Sequence, residues 1–396
     1  MTAGALEGMR VIELTHAWAG PYCAMMLGDM GAEVIKIENP RQKTEARGGY
    51  PYVANESVIF IMLHRNKKSV TLDLKSPTGR EILLDLIKTA DVVIQNFRPG
   101  LMKKLRLTYD DLKKVNPALI YASLSGYGNT GPKADWPGVN MIALAESGLA
   151  STTINGDNPP VPLGYALCDV VASMWASTGI LSAYVRSLKT GKGQEVDMSL
   201  LEAGISLMMS PVAQHFHVKG DWAAQTGHTD SNAPSGFFRC SDGLFLTVFA
   251  SYPALWDRFV EVMNLQHLKA EERFSTRDAR TVNARALHDI IGPIYAQKPV
   301  DYWVELLVNA GVPAAPVNTV GRMIEDKQVI AREMIVKQLH PTAGEISVVG
   351  VPVKLSETPG SVRTPAPLLG EHTNEVLGAL GYDGERLAFL RKDGVI

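Results

Sequence analysis

The stretch Arg10–Glu38 restricts the fold more than any other. Arg10–Leu14 (RVIEL) is a short apolar segment, and Thr15–Gly20 (THAWAG) is a loop. Pro21 then opens a helical stretch that runs to about Met30. Glu33–Glu38 (EVIKIE) reads as a second strand. Strand, helix and strand in this order dictate parallel strands joined by a right-handed crossover. The alternation persists. The patterns predict a strand over Ser69–Leu74, a helix over Thr78–Thr89 and a strand over Asp91–Gln95, then a short helix over Tyr109–Lys114 and a strand over Leu119–Leu124. Residues 1–215 are therefore expected to form a doubly wound, Rossmann-like α/β domain. In such sheets ligands bind beyond the carboxyl ends of the strands, where helix N-termini attract anions.

A second informative stretch runs from Leu163 to Glu202. Val171, Met174, Trp175, Ile180 and Tyr184 recur at mostly three- and four-residue intervals, which argues a helix packed on a core. Lys189 and Gly191 give it a cationic last turn and a stop. Gln194–Met198 reads as a strand. Ser199–Met209 reads as a helix with Ser199 as its N-cap and Glu202 three residues on. Asp169 stands where the apolar segment enters the first helix. Such an acid is either a cap that complements the helix dipole or a reactive carboxylate. In the second reading, helix N–H groups keep it ionised and shielding from water lets it attack an activated acyl group. Spacing leaves both open.

Residues 216–330 change in character and are expected to form a smaller α+β domain with linkers. His215–Gly236 reads as a linker or loop, and Gly236–Arg239 and Leu244–Phe249 as strands around Ser241-Asp242-Gly243. Helical patterns follow at Tyr252–Met263, Val282–Ala296 and Val300–Ala310. Residues 331–396 are expected to return to the large domain. They carry short strand signals at Lys337–Leu339, Glu345–Val349 and Val353–Lys354, and a helix over Thr373–Leu380.

Composition removes several function classes. With 39 basic and 41 acidic residues the chain offers no excess charge for nucleic acid. Val170–Val185 is too short and too interrupted for a membrane span, and MTAGALEGMR lacks the apolar core of a signal peptide. Cys23, Cys168 and Cys240 are far apart and odd in number, which suggests reduced thiols in a cytoplasmic protein and no metal cluster. His215 and His217 lack a third ligand at zinc spacing. Cys168 has no cation nearby in sequence to activate it, so a buried, inert thiol is the expectation. Ser125 and Ser147 form no nucleophile elbow. Gly126–Gly131 matches G-x-G-x-x-G after a strand, yet Pro132, Trp136, Pro137 and Gly138 follow where a helix should open. No NAD or FAD site is expected there. The basic run His64–Lys68 reads as a solvated turn or a phosphate contact.

Several motifs in order resemble one family. They are LEGMRVIELTHAWAGPYCAMMLGDMGAEVIKIENP, RNKKSVTLDLKSPTGR, DVVIQNFRPG, LIYASLSGYGNTGP, the Leu163–Glu202 stretch and APLLGEHTNEVL. Together they are similar to the class III CoA-transferases, which include formyl-CoA and carnitine CoA-transferases. The resemblance implies a Rossmann-like large domain made from both chain ends, a smaller middle domain and an interlocked homodimer. It makes Asp169 the catalytic nucleophile of an acyl-CoA:carboxylate CoA-transferase, with coenzyme A as the nucleotide bound. It places CoA against Ala17, Trp18, Ala19 and Asn39, against Leu72, Asp73, Leu74 and Lys75, and against Asn96, Phe97, Arg98 and Lys104. Trp18, Val139 and Asn140 are the expected substrate pocket. Two substitutions matter: Trp18 stands where formyl-CoA transferase has Gln, and Asn39 where it has Arg. The glycine-rich loop of that enzyme is also missing near Thr226–Gly236. These differences point away from oxalate and toward another small or medium organic acid, a dicarboxylate such as succinate, as donor or acceptor acid. An α-methylacyl-CoA racemase is an alternative, but its pattern has a His where Val139 stands, and a racemase needs that second acid–base group. A non-catalytic CoA-binding protein is a third.

Overall fold

The computed structural model describes residues 4–41, 47–98, 100–154, 158–161, 164–218 and 233–396, and it places the alternating segments in one sheet. Its strands are β1 (Arg10–Leu14), β2 (Glu33–Glu38), β3 (Lys67–Thr71), β4 (Val92–Gln95), β5 (Ile120–Ser125) and β6 (Glu195–Ser199). All pair in parallel, in the order β3-β2-β1-β4-β5-β6. This is the doubly wound arrangement, with its switch of direction between β1 and β4. The helices are α1 (Ala19–Asp29), α2 (Val58–Leu63), α3 (Pro77–Ile87), α4 (Leu101–Leu105), α5 (Tyr109–Leu112), α6 (Asn140–Glu146), α7 (Leu167–Thr190), α8 (Leu200–Ser206) and α9 (Met209–Val218).

Both faces of the sheet are covered, which is why its strands other than the edge strand β6 are almost wholly buried. On one face Val11, Val34 and Val92 pack with Leu27 of α1 and Ala172, Ala176 and Ile180 of α7. On the other, Ile12, Ile35 and Val70 pack with Ile82 and Leu86 of α3. Leu377, Leu390 and Val395 complete that second core, so the C-terminal stretch is part of it. By contacts the residues group into two units. One is Met1–Leu149, Pro162–Ala213 and Lys327–Ile396; the other is Ala150–Val161 and Gln214–Asp326. The second unit contains an antiparallel sheet of β7 (Gly236–Arg239), β8 (Phe245–Val248) and β9 (Ala314–Pro316), with β8 in the middle. Its core joins Phe238, Leu246 and Val248 to Phe259, Leu287, Tyr295 and Leu307.

The structure corrects several expectations. The third strand is Lys67–Thr71, not Ser69–Leu74. Leu72 still donates to the Glu38 carbonyl, but the next amide, of Asp73, bonds to Val395 O and leaves the ladder. Of the expected core face of α7, Ile180 is buried and Val171 and Tyr184 pack against the core, but Met174 and Trp175 are half exposed and most buried positions are small: Ala172, Ser173, Ala176, Ser177 and Ala183. Small residues let α7 approach α1 closely, and the Cys23 Sγ and Ser177 Oγ atoms lie 3.3 Å apart. The helix expected over Ser199–Met209 ends at Ser206, and a new helix, α9, starts at Met209. That break puts Pro211 in a first turn, where its missing N–H is harmless. His215–Val218 is consequently helical, not loop, and residues 219–232 lie outside the described residues. Arg277–Val282 forms its own short helix before the one at Ala284–Tyr295. A hairpin of β10 (Ile335–His340) and β11 (Gly344–Val349) is present, but Val353–Lys354 is not a strand. Pro352, just before it, has no N–H to donate.

Candidate active site

At the switch point the chain leaves β1 through His16–Ala19 and β4 through Asn96–Arg98. Both loops, with residues 136–141, line a cavity of about 750 Å³, and Asp169 stands in its wall. The loops are laced together by one side chain. Asn96 donates from Nδ2 to His16 O and accepts at Oδ1 from His16 N, both at 2.8 Å. The His16 and Phe97 rings lie 5.0 Å apart. Next to His16, Ala17 holds the left-handed conformation (φ 57°), which non-glycine residues seldom adopt. Trp18 closes the loop before α1, and its Nε1 is buried without a hydrogen-bond partner.

Asp169 lies in the first turn of α7. Burial pushes its carboxyl up to about 6. That direction is opposite to the one expected if helix N–H groups held it charged, and it corrects that expectation: desolvation prevails. At neutral pH the carboxyl is still mostly ionised. The turn is capped from outside the helix, since Cys168 N donates to Asn140 Oδ1 at 2.9 Å. Asn140 thus shapes the position of Asp169 as well as lining the cavity. The Cys168 thiol is buried, and burial pushes it up to about 11, so it is poorly suited to act as a nucleophile. The Ser173 hydroxyl lies 2.7 Å from both Ala19 O and Asp169 O, and so joins the β1 loop to this turn.

The G-x-G-x-x-G stretch serves a chain reversal. A Cβ on Gly126 would lie 2.6 Å from the Gly138 Cα, so the two backbones meet only as glycines. Asn129 N bonds to Asp197 Oδ2 at 2.9 Å, clipping the loop to β6, and α6 opens only at Asn140.

Of the residues singled out in the sequence, the cavity gathers Ala17, Trp18, Ala19, Asn96, Phe97, Arg98, Val139, Asn140 and Asp169. Asn39, Leu72, Asp73, Leu74, Lys75 and Lys104 do not line it. They follow β2, β3 and β4 along the same carboxyl edge. There Asn39 Oδ1 accepts from Arg41 N, and Asp73 Oδ1 accepts from Lys75 N. Leu72 is buried in the core and its amide is taken by the Glu38 carbonyl. Arg98, Lys75 and Lys104 are exposed. The sequence reading missed His16, Trp136, Met141 and Leu200. His16 adjoins a motif already noted, Trp136 and Met141 reach the cavity through the reversal at Gly126 and Gly138, and Leu200 opens α8 at the carboxyl end of β6. Of the Thr226–Gly236 stretch, residues 226–232 lie outside the described residues. The basic run His64–Lys68 is neither a solvated turn nor a phosphate contact. His64 to Lys67 are buried, and Arg65 pairs with Asp29 at 2.7 Å. Among the described residues no group of three or more His, Cys, Asp or Glu is placed to hold a metal, and no helix is long and apolar enough to cross a membrane.

Comparison with known proteins gives concordant matches. The family model described as CoA-transferase family III matches residues 6–373. A succinyl-CoA:glutarate CoA-transferase of Mus musculus is 34% identical over 394 residues, covering 99% of this chain and 90% of that one. A formyl-CoA:oxalate CoA-transferase of Streptomyces coelicolor is 33% identical over 416 residues, covering 100% of both. Among solved structures, a CAIB/BAIF family protein from Brucella suis superposes with a TM-score of 0.87 at 29% identity, covering 96% of this chain and 100% of that one.

Proposed function

This chain belongs to CoA-transferase family III, and from that premise we propose that it moves CoA from an acyl-CoA to a free carboxylic acid, with Asp169 as the covalent nucleophile. The observation that carries the reading is the desolvated Asp169 carboxyl in the wall of the switch-point cavity. A perturbed acid in a cleft is where reactive carboxylates are found.

The chemistry runs in four transfers. The Asp169 carboxylate attacks the thioester carbonyl, the C–S bond breaks, and CoA leaves as thiolate from a mixed anhydride. The thiolate attacks the Asp169 carbonyl, releasing the donor acid and leaving CoA on the enzyme as a thioester. The acceptor carboxylate attacks that thioester and frees the thiolate again. The thiolate then attacks the acceptor carbonyl of the second anhydride, giving the new acyl-CoA and free Asp169. Each tetrahedral intermediate needs N–H donors. The first-turn amides of Ala19 and Gly20 are candidates, since they have no acceptor within α1. CoA runs along the carboxyl edge, its thioester end at Ala17–Ala19 and its phosphates near Lys75, Arg98 and Lys104. The exposure of these three cations supports that direction.

The acceptor or donor acid is a small or medium carboxylic acid, a dicarboxylate such as succinate. The names of succinyl-CoA-using relatives and the apolar Trp18 in the cavity support this. The protein acts as a homodimer, a reading supported by the exposed apolar side chains of Trp175, Val185 and Leu188 on α7. Three free, buried cysteines suit a reducing cytoplasm.

The test uses purified enzyme, a panel of acyl-CoA donors and a panel of free acids. Asp169→Asn should lose transfer by at least about 10³-fold while keeping CoA binding. Incubating the wild type with acyl-CoA and trapping with hydroxylamine should mark the peptide that holds Asp169. Near-normal turnover by the variant would remove Asp169 from the mechanism.

A further inference from the structure

Behind the β1 loop lies a group of charges that the transfer chemistry does not use. Glu13 of β1, Lys36 of β2 and Lys67, the first residue of β3, are all buried, as is His64 after α2. Lys36 Nζ lies 3.1 Å from Glu13 Oε1 and donates to Thr15 O at 2.9 Å. Thr15 Oγ1 donates to the same Glu13 oxygen at 2.7 Å. Lys67 Nζ lies 2.8 Å from Glu13 Oε2, donates to Pro21 O at 2.8 Å and sits 3.1 Å from His64 Nδ1. Two ammonium groups anchored on one carboxylate therefore grip the carbonyls on either side of His16–Gly20. The Ser173 hydroxyl, within reach of Ala19 O and Asp169 O, carries the constraint into the first turn of α7.

Buried ion groups of this kind contribute little to stability, because apolar side chains of equal volume often do as well. What they supply is a fixed position. We propose that Glu13, Lys36 and Lys67 are positioning residues of the transfer site, which set the Thr15–Pro21 loop and, through Ser173, the placement of Asp169. The inference rests on the nucleophile reading of Asp169. Misplacement by a fraction of an ångström at a reacting carbonyl is enough to matter.

The group also titrates in a definable way. Lys67 faces Glu13 from β1, Lys36 from β2, His64 from the end of α2, and Cys23 and Asp29 from α1. Burial pulls Lys67 down to about 8, with Glu13 acting against it. Burial alone would raise the Glu13 carboxyl, but Lys36 and Lys67 overcome this and hold it below the usual range. Burial, then Lys67 and Lys36, keep His64 well below its usual value and so neutral, and burial pushes Cys23 up to about 12. The proton on Lys67 is thus the one lost in mildly alkaline solution, and with it goes one of the two positive charges that hold Glu13.

The experiment compares the wild type with Lys67→Met and with Glu13→Gln/Lys67→Met, which removes both charges should the single variant fail to fold. The substrates are the donor and acceptor pair turned over fastest by the wild type. The wild type should show kcat falling above about pH 8, and a folded variant should show kcat lowered about 30- to 100-fold with that fall absent. KM for the acyl-CoA should stay within about threefold. A folded variant with wild-type kcat, or with the alkaline fall unchanged, would overturn the proposal. So would a wild-type kcat that is flat from pH 7 to about 9.5, which decides the matter even if neither variant folds. Turnover surviving Asp169→Asn would refute the nucleophile instead, so the two failures are distinguishable.

Discussion

Asp169 carries its proton to higher pH in the folded chain than in the unfolded one, and stability must change accordingly. Below the ordinary carboxyl value of 3.8 the group is neutral in both states. As pH rises from there through about 6, the unfolded chain has shed the proton while the folded chain still holds it. Stability present in acid is therefore lost with rising pH, by up to about 3 kcal/mol. Asp169→Asn should unfold at higher denaturant than the wild type at pH 7.5, and the gain should vanish near pH 3.5. An equal midpoint at pH 7.5 would mean that the carboxylate is not desolvated. The same proton should produce an acid fall in kcat/KM near pH 6. Trp18 belongs to this scale too. Its side chain lines the cavity while its Nε1 stays buried without a partner, so Trp18→Gln should shift kcat/KM away from succinyl-CoA toward formyl-CoA. Unchanged selectivity would make the indole purely structural. Asp169 stood out in the sequence because an acid opens a recognisable helix. Lys67 did not, because a basic run resembles a wet turn and its partner Glu13 lies on another strand.

Among the elements, α7 shows how far periodicity reaches. Its extent, its glycine stop at Gly191 (φ 66°) and the capping box of Ser199 and Glu202 after it were all legible. The buried face was legible only in part: Ile180, Val171 and Tyr184 meet the core, but Met174 and Trp175 do not. Large apolar residues normally mark the core side, but here the neighbour is α1 at close range, and only the stripe of Ala172, Ser173, Ala176 and Ser177 fits. Ala176→Leu should therefore cost about 1–3 kcal/mol by overpacking, measured by urea unfolding. A neutral outcome would show that the α1–α7 contact is looser than its geometry. For the same reason α2 escaped detection: VIFIML is apolar throughout and has no period to read. The third strand was misplaced because its end is set by a partner hundreds of residues later, Val395, which takes the Asp73 amide.

For the molecule as a whole, strand alternation sufficed to predict the parallel sheet, and the cavity opens at the carboxyl edge that such a sheet offers. Alternation could not reveal how the C-terminal stretch is fastened. Asn66 does much of that work from the left-handed region (φ 58°). Its Oδ1 accepts from Arg363 N at 2.7 Å and Thr364 N at 3.1 Å, while Nδ2 donates to Asp29 and to Ser361 O. Asn66→Ala would leave these groups unpaired and place alanine in a strained backbone. We expect a loss of about 2–4 kcal/mol, read by urea unfolding. A loss below about 0.5 kcal/mol would mean that water replaces the amide without penalty.

The bond from Asp73 N to Val395 O has a consequence for biosynthesis. Residues 72–75 are made early, yet their backbone is completed by a residue translated more than three hundred codons later. A ribosome must synthesise residue 395 and clear it from the exit tunnel before that bond can form. The order of synthesis therefore leaves this part of the carboxyl edge unfinished while most of the chain is being made.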